Sequence, residues 1–135
     1  MATISLPSLA RAREAKYRLV AARCKKCGTV HFPPRPLCGC GSADMEDLPL
    51  PRTGKIYSFT VVAEPSTASE HAEEVRATGP FPIAIVELTG GTKVMGQVTD
   101  CDPKEVQVGM EVEAVFRRMY RDRGVTLYGY KFRPR

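Results

Sequence analysis

Four of the five cysteines of this chain fall in one short window, as Cys24-Lys-Lys-Cys27 and Cys38-Gly-Cys40, with ten residues between the pairs. A Cys-x-x-Cys turn followed by glycine bends the backbone so that two thiolates point at one place. A second, similar turn would bring the other two sulfurs to the same place. Four thiolates in tetrahedral geometry suit zinc, and such a closed shell leaves no position for water or substrate. The spacing therefore predicts a structural zinc site with the ligands Cys24, Cys27, Cys38 and Cys40.

The second pair departs from the usual spacing, because one residue stands between its cysteines where two are common. This turn must be tighter, and we expect Gly39 to permit it, since glycine tolerates strained backbone conformations. His31 lies between the pairs and is the alternative ligand if Cys38 or Cys40 does not bind. Two other interpretations of the window are reduced thiols without metal and a disulfide framework. The disulfides are disfavoured because the N-terminus does not resemble a secretion signal.

Length and composition set the limits of the fold. A chain of 135 residues suits one ordinary domain, or a small domain with a metal-stabilised appendage. The hydrophobic share is 43%, and no apolar run is long enough to span a membrane, so we expect a soluble protein. Clustered thiols favour a cytoplasmic location. The net charge of +5 is compatible with nucleic acid, an anionic cofactor or an acidic partner protein.

The N-terminal half divides into a helix and a metal-binding segment. Ser8 is the expected N-cap of a helix that runs through Lys16, and Tyr17 to Ala22 are expected to form a strand that leads into the metal site. Residues 23–48 are too few to fold alone, so the metal must supply much of their stability. Between the cysteine pairs, the prolines of Phe32-Pro-Pro-Arg-Pro36 enforce an extended, rigid passage. The expected segments are residues 1–22, 23–48 and 49–135.

The C-terminal segment has the pattern of β-strands. Alternating or continuous apolar runs separated by turn residues predict five strands, at Gly54–Val62, Pro82–Leu88, Thr92–Thr99, Met110–Met119 and Val125–Phe132. Short turns and glycines inside two of the strands favour a small closed barrel, and the order fits the five-stranded OB-fold. Residues 64–80 fit no strand, and only a loose helix at Ala68–Ala77 is expected there. The predicted fold is therefore mainly β.

The order of these motifs resembles the acyl-CoA-associated proteins in which a rubredoxin-like zinc ribbon is joined to an OB-fold. The resemblance covers nearly the whole chain and rests on five stretches, Arg23-Cys-Lys-Lys-Cys-Gly28, Phe32-Pro-Pro-Arg35, Gly54-Lys-Ile-Tyr-Ser-Phe-Thr60, Val108-Gly-Met-Glu-Val112 and Tyr130-Lys-Phe-Arg-Pro134. The shortened Cys38-Gly-Cys40 turn departs from the family pattern. The resemblance implies a non-catalytic accessory subunit that binds a thiolase-type enzyme in a hetero-oligomer. It also implies that coenzyme A, carried by the partner, contacts some members.

The residues themselves agree with a role other than catalysis. Thiolase-type chemistry needs a nucleophilic thiolate, a base and an oxyanion hole in one pocket. Cys101 is the only thiol outside the window, and its neighbours Asp100 and Asp102 are expected to raise its pKa. His71, the second histidine, lies among glutamates in the long connection and is expected to be solvated. We therefore expect the chain alone to have no catalytic residues.

Two alternative functions stay open. A zinc ribbon and an OB-fold can also bind single-stranded nucleic acid, for which Tyr57 and Phe59, or Tyr128 and Tyr130, could stack on bases. Such binding would weaken steeply with salt. The four cysteines could instead hold iron for electron transfer, as in rubredoxin, and the protein would then be red.

If the chain is an accessory subunit, two surfaces are the expected partner contacts. The proline-stiffened passage would dock at little entropic cost, which places Phe32 and Arg35 in the interface. The N-terminal helix, with Arg11 and Arg13, is too short to be stable without a surface to lie on.

Overall fold

The computed structural model describes residues 6–64, 72–122 and 124–135. Two α-helices, eight β-strands and one 3-10 turn follow one another along these residues. Their bounds are α1 Leu6–Arg18, β1 Val20–Cys24, β2 Val30–His31, β3 Met45–Pro49, β4 Thr53–Val62, α2 Ala72–Thr78, β5 Phe81–Leu88, β6 Lys93–Gln97, the 3-10 turn Pro103–Glu105, β7 Glu111–Asp122 and β8 Val125–Pro134.

The N-terminal boundaries differ from the sequence expectation. α1 begins at Leu6, so Ser8 lies inside the helix and is not its N-cap. α1 also continues through Tyr17 and Arg18, which were expected to be extended. The helix ends at Arg18. The next residue, Leu19, has a φ of 54° and is buried, and β1 follows at once. A left-handed residue is a common helix terminator, but the usual residue there is glycine, so the sequence did not signal this end.

The first sheet has three antiparallel strands in the order β2-β1-β3. Its register places Ala22 opposite His31 on one side and opposite Asp47 on the other. β1 ends at Cys24, so the central strand of this small sheet delivers the first cysteine to the metal site.

The second sheet contains the five strands expected from the sequence, in the order β6-β5-β4-β7-β8. A parallel bridge between Val98 and Phe132 joins its two ends, and the Thr99 N–H donates to the Phe132 carbonyl at 2.7 Å. This closure between the third and fifth strands makes a nearly closed barrel, and it confirms the predicted OB-fold. β5 lies where a nearly continuous apolar run predicted a strand, but its exposure alternates: Ala84, Val86 and Leu88 are buried, whereas Ile85 and Glu87 are exposed.

One apolar core joins the barrel to the segment that precedes it. Ile56, Val86, Val112 and Phe132 fill the barrel, and the same cluster of buried residues includes Leu19, Ala21 and Leu50 from the ribbon side. The ribbon therefore packs on the barrel through shared side chains.

The connection between β4 and β5 is described only in part. Its helix, α2, lies within the helix expected at Ala68–Ala77 apart from its last residue. His71 lies outside the described residues. Among the residues that the structure describes, no helix is long and apolar enough to cross a membrane.

Candidate metal centre

The first pair of cysteines lies at the turn between β1 and β2. The Gly28 N–H donates to the Cys24 carbonyl at 2.8 Å, and the Cys24 N–H donates to the Thr29 carbonyl at 2.9 Å. Gly28 has a φ of +77°, a conformation that glycine adopts without steric cost. The sequence Cys-x-x-Cys-Gly therefore closes a tight turn that presents both sulfurs on one side.

The second pair forms a corresponding turn in the loop before β3. The Gly41 N–H donates to the Cys38 carbonyl and the Cys38 N–H donates to the Ser42 carbonyl, both at 2.9 Å. Gly41 has the left-handed φ of +88°, whereas Gly39 is not among the residues of positive φ. A Cβ at Gly39 would also meet no atom of the described residues within 4 Å. The expectation for Gly39 was thus wrong, because the chain reverses after Cys40, where Gly41 supplies the conformational freedom.

The four sulfurs meet with the spacing of a tetrahedral site. Cys24 and Cys40 have their Sγ atoms 3.7 Å apart, those of Cys27 and Cys38 are 3.5 Å apart, and all four lie within 4.8 Å of one another. Four sulfurs at about 2.3 Å from one zinc ion would be separated by about 3.8 Å. The donor set and its geometry therefore fit structural zinc.

Local donors favour the thiolate form in the first pair. The Cys27 amide N–H is the largest influence on Cys24 and lowers its pKa, although burial opposes it. The Thr29 hydroxyl and amide lower the pKa of Cys27 to about 6. In the second pair the Cys40 amide N–H lowers the pKa of Cys38, but burial and the neighbouring thiols outweigh it and raise the pKa to about 12. Positive charge from a metal would favour the thiolate at this buried sulfur.

His31 contacts the centre without completing its donor set. The ring Nε2 lies 3.3 Å from the Cys38 Sγ, while the described group that could hold a metal consists of the four cysteines. A protonated Nε2 at this distance would donate to the sulfur of a bound Cys38. Thr29 makes a similar contact, with its Oγ1 3.1 Å from the Cys27 Sγ. The position of His31 between the pairs is evident from the sequence. Its contact with Cys38 is not, because that depends on how β2 pairs with β1.

Replacing His31 by Ala is expected to weaken zinc binding without removing a ligand. Loss of a hydrogen bond to a metal-binding group typically lowers metal affinity 10- to 100-fold, and we expect about tenfold here. Competition with a chromogenic chelator would measure the affinity, and His31→Gln, which keeps an N–H donor, should restore part of it. Unchanged zinc affinity would show that the contact has no energetic role. If the spectrum of the cobalt-substituted wild-type protein indicated three sulfur ligands and one nitrogen ligand, His31 would be a ligand itself.

Replacing Gly41 by Ala should destabilise the ribbon, whereas the same change at Gly39 should not. Alanine in a left-handed conformation costs about 1–2 kcal/mol, and of these two glycines Gly41 has such a φ whereas Gly39 does not. Thermal unfolding and zinc retention against a chelator would measure both variants. The two glycines flank Cys40, so they form a matched pair. Equal losses in both variants would contradict this account of the second turn.

The four residues expected to contact a partner lie in different settings. Arg11, Arg13 and Arg35 are exposed. Phe32 is half-buried and packs on the barrel, where its ring centroid lies 6.4 Å from that of Tyr130. Its observed contact is therefore internal, and its role towards a partner stays a prediction, as do those of the three arginines.

The other candidates from the sequence are Cys101 and the four aromatic residues considered for base stacking. Burial raises the pKa of Cys101, and the charges of Glu105, Asp102 and Asp100 add to the effect, which confirms the expected direction. Burial also raises the pKa of Tyr130 to about 12. Its hydroxyl donates to the Met95 carbonyl at 3.2 Å. Of the rings considered for base stacking, the other three, Tyr57, Phe59 and Tyr128, are exposed.

A four-cysteine ribbon that shares a core with an OB-fold barrel defines the class of this protein as a zinc-ribbon/OB-fold protein. Residues 11–46 match the family model of the ChsH2 rubredoxin-like zinc ribbon domain, and residues 48–117 match that of the ChsH2 C-terminal OB-fold domain. The chain belongs to this family, which agrees with the resemblance seen in its motifs.

Relatives of known description cover most of the chain. A DUF35 domain-containing scaffold protein of Methanocaldococcus jannaschii is 44% identical over 124 residues, which are 88% of this chain and 83% of the relative. The benzoylsuccinyl-CoA thiolase subunit BbsA of Thauera aromatica is 30% identical over 82% of this chain and 72% of its own length. A solved structure described as an Ltp2-ChsH2(DUF35) aldolase matches with a TM-score of 0.67 and 32% identity, covering 94% of this chain and 89% of that one.

Proposed function

We propose that this chain is a non-catalytic accessory subunit that binds a thiolase-type acyl-CoA enzyme and completes or stabilises it. The observation that carries the proposal is the likeness, over 82% of this chain, to a relative described as a thiolase subunit. Relatives described as scaffold proteins support the same role, since they match over 88% of the chain.

The chemistry of the described residues supports binding over catalysis. Four of the five thiols lie in one cluster whose geometry suits a closed metal shell, and such a shell offers no site to a substrate. The fifth, Cys101, has a raised pKa, which disfavours the nucleophilic thiolate. We propose that the partner supplies the nucleophile, base and oxyanion hole.

In this proposal the metal centre has a structural task. Cys24, Cys27, Cys38 and Cys40 hold one zinc ion, which fixes the two turns against each other and so positions the passage between them. Exposed cations of the chain, whose net charge is +5, then contact the anionic coenzyme A portion of the partner's substrate. Zinc-bound thiolates suit a reducing compartment, so we place the complex in the cytoplasm.

A tagged copy of the chain, purified from its native cells, tests the proposal. We expect a stoichiometric thiolase-family enzyme to co-purify, and thiolysis of acyl-CoA by that enzyme to fall when the accessory chain is removed. Co-purification with the Cys24→Ser variant is the control for dependence on the metal centre. An enzyme that is fully active and stable alone, or the absence of any acyl-CoA enzyme, would contradict the proposal.

A second candidate function rests on the exposed aromatic rings of the barrel. Tyr57, Phe59 and Tyr128 are exposed on a chain of net charge +5, a combination used by proteins that bind single strands. Fluorescence anisotropy with a labelled oligonucleotide at low and high salt would test it. Tight binding that weakens steeply with salt would support this function, and no binding at low salt would remove it.

A further inference from the structure

The two end strands of the barrel leave a cavity where α1 lies across them. Val98, the residue after β6, pairs with Phe132 of β8, and further along the seam the Tyr130 hydroxyl donates to the Met95 carbonyl. α1 lies directly on β8 at Gly129, where an added Cβ would be 3.2 Å from the Lys16 carbonyl oxygen. Between these elements is a cavity of about 790 Å³. Its larger apolar and aromatic lining residues include Tyr17, Met95, Met119, Leu127, Tyr128 and Tyr130.

An exposed apolar surface continues from the mouth of this cavity. Met95 is 67% exposed, Phe116 51% and Tyr128 46%. The Phe116 and Tyr128 rings stack with centroids 5.7 Å apart, and the Tyr17 ring meets Phe116 edge-on at 5.8 Å. Ile85, which is opposite Met95 in the register of β5 and β6, is also exposed. We call the cavity together with these exposed side chains the seam socket.

The charged side chains that line the cavity of the seam socket are positive. Arg13 and Lys16 line the cavity from α1, and the exposed Arg118 is opposite Tyr128 in the register of β7 and β8. Of the described residues that line the cavity, none carries a carboxylate. An occupant that complements this surface therefore combines a large apolar group with negative charge beside it.

We propose that the seam socket is the docking site for a segment of the acyl-CoA enzyme in which one or two large apolar side chains are flanked by carboxylates. This inference rests on the proposed function and names the surface that performs it. The anchor side chain enters the cavity and displaces water from its apolar walls, while the flanking carboxylates meet Arg13, Lys16 and Arg118.

The composition of the seam socket favours a protein over a small ligand. Tyrosine, phenylalanine, methionine and arginine are the residues enriched at the core of protein interfaces. Two methionines allow the walls to adapt to the shape of an anchor. A small ligand confined to the cavity would also leave Phe116 and Ile85 exposed, whereas a protein surface covers both.

Binding to the purified enzyme that accompanies the wild-type chain tests the location of the site. We expect Met95→Glu to raise the dissociation constant by at least tenfold, because it places a charge in the apolar contact. Val108→Glu is the matched control, since Val108 is 65% exposed and does not line the cavity, and we expect a change below twofold. Arg13→Glu should weaken binding about three- to tenfold and flatten its salt dependence. Zinc content and melting temperature must match the wild type.

Equal binding by the Met95→Glu and wild-type chains would overturn the docking site and leave the accessory function standing. A photo-crosslinking residue at position 128 in intact cells tests the occupant independently. A cross-link to an acyl-CoA enzyme, at an apolar residue beside Asp or Glu, supports the inference. The inference would be overturned by a cross-link to another class of protein or to a second copy of this chain, or by no cross-link. It would also be overturned if native mass spectrometry detected a small amphiphile bound in the cavity. Failure of any enzyme to co-purify would instead contradict the proposed function.

Discussion

Replacement of Cys24 by Ser is expected to abolish zinc binding and to destabilise the whole chain. Cys24 is buried at the end of the central ribbon strand, and its Sγ is 3.7 Å from that of Cys40. Structural zinc contributes about 10–16 kcal/mol in small zinc-binding peptides, as much as the stability of an entire domain. Because Leu19, Ala21 and Leu50 share the barrel core, loss of the ribbon also removes packing from the barrel. We expect the melting temperature to fall by more than roughly 10 °C.

Zinc content per chain and thermal unfolding followed by far-ultraviolet circular dichroism measure this effect. Cys101→Ser is the matched control, since it removes a half-buried thiol outside the metal centre, and it should keep one zinc per chain. Retention of zinc by Cys24→Ser would contradict the ligand assignment. Unfolding of the ribbon with an unchanged barrel transition would show that the shared core contributes little.

The elements that the sequence predicted well depend on local or periodic signals. The cysteine spacing predicted the cluster, because a Cys-x-x-Cys-Gly turn is determined by a few adjacent residues. Alternating or continuous apolar runs between turn residues predicted the five barrel strands.

The features that escaped prediction depend on tertiary contacts. Leu19 ends α1 although it is not a helix-terminating residue type, because its side chain is buried in the shared core. The choice between Gly39 and Gly41 depends on where the chain reverses, which the spacing of cysteines does not determine. The cavity of the seam socket arises only when α1 is placed on β8, and the contact at Gly129 has no periodic signature. His31 likewise meets Cys38 only through the pairing of β1 and β2.

Replacement of Gly54 by Ala is expected to lower the free energy of unfolding by about 3 kcal/mol. The new methyl group would meet backbone atoms, so no side-chain movement can make room for it. A Cβ at this position would collide with the Glu87 carbonyl oxygen and lie 2.9 Å from the Leu88 Cα. Gly54 pairs with Leu88 on one side and with Val112 on the other, so its strand is held by hydrogen-bonded neighbours on both sides. A shift away from β5 would therefore disturb β7.

Thermal unfolding of zinc-loaded protein measures this effect, and we expect the melting temperature to fall by roughly 10 °C while one zinc per chain is retained. Gly39→Ala is the control for a glycine-to-alanine change in open space, since the part of the chain that the structure describes has no atom within 4 Å of that Cβ position. Gly96→Ala should fall between the two, because its Cβ would meet the Phe132 ring, a side chain that can move, at 2.8 Å. Equal stability of Gly54→Ala and Gly39→Ala would mean that β4 and β5 can move apart at this position without cost. That result would contradict the close packing of the two strands at Gly54.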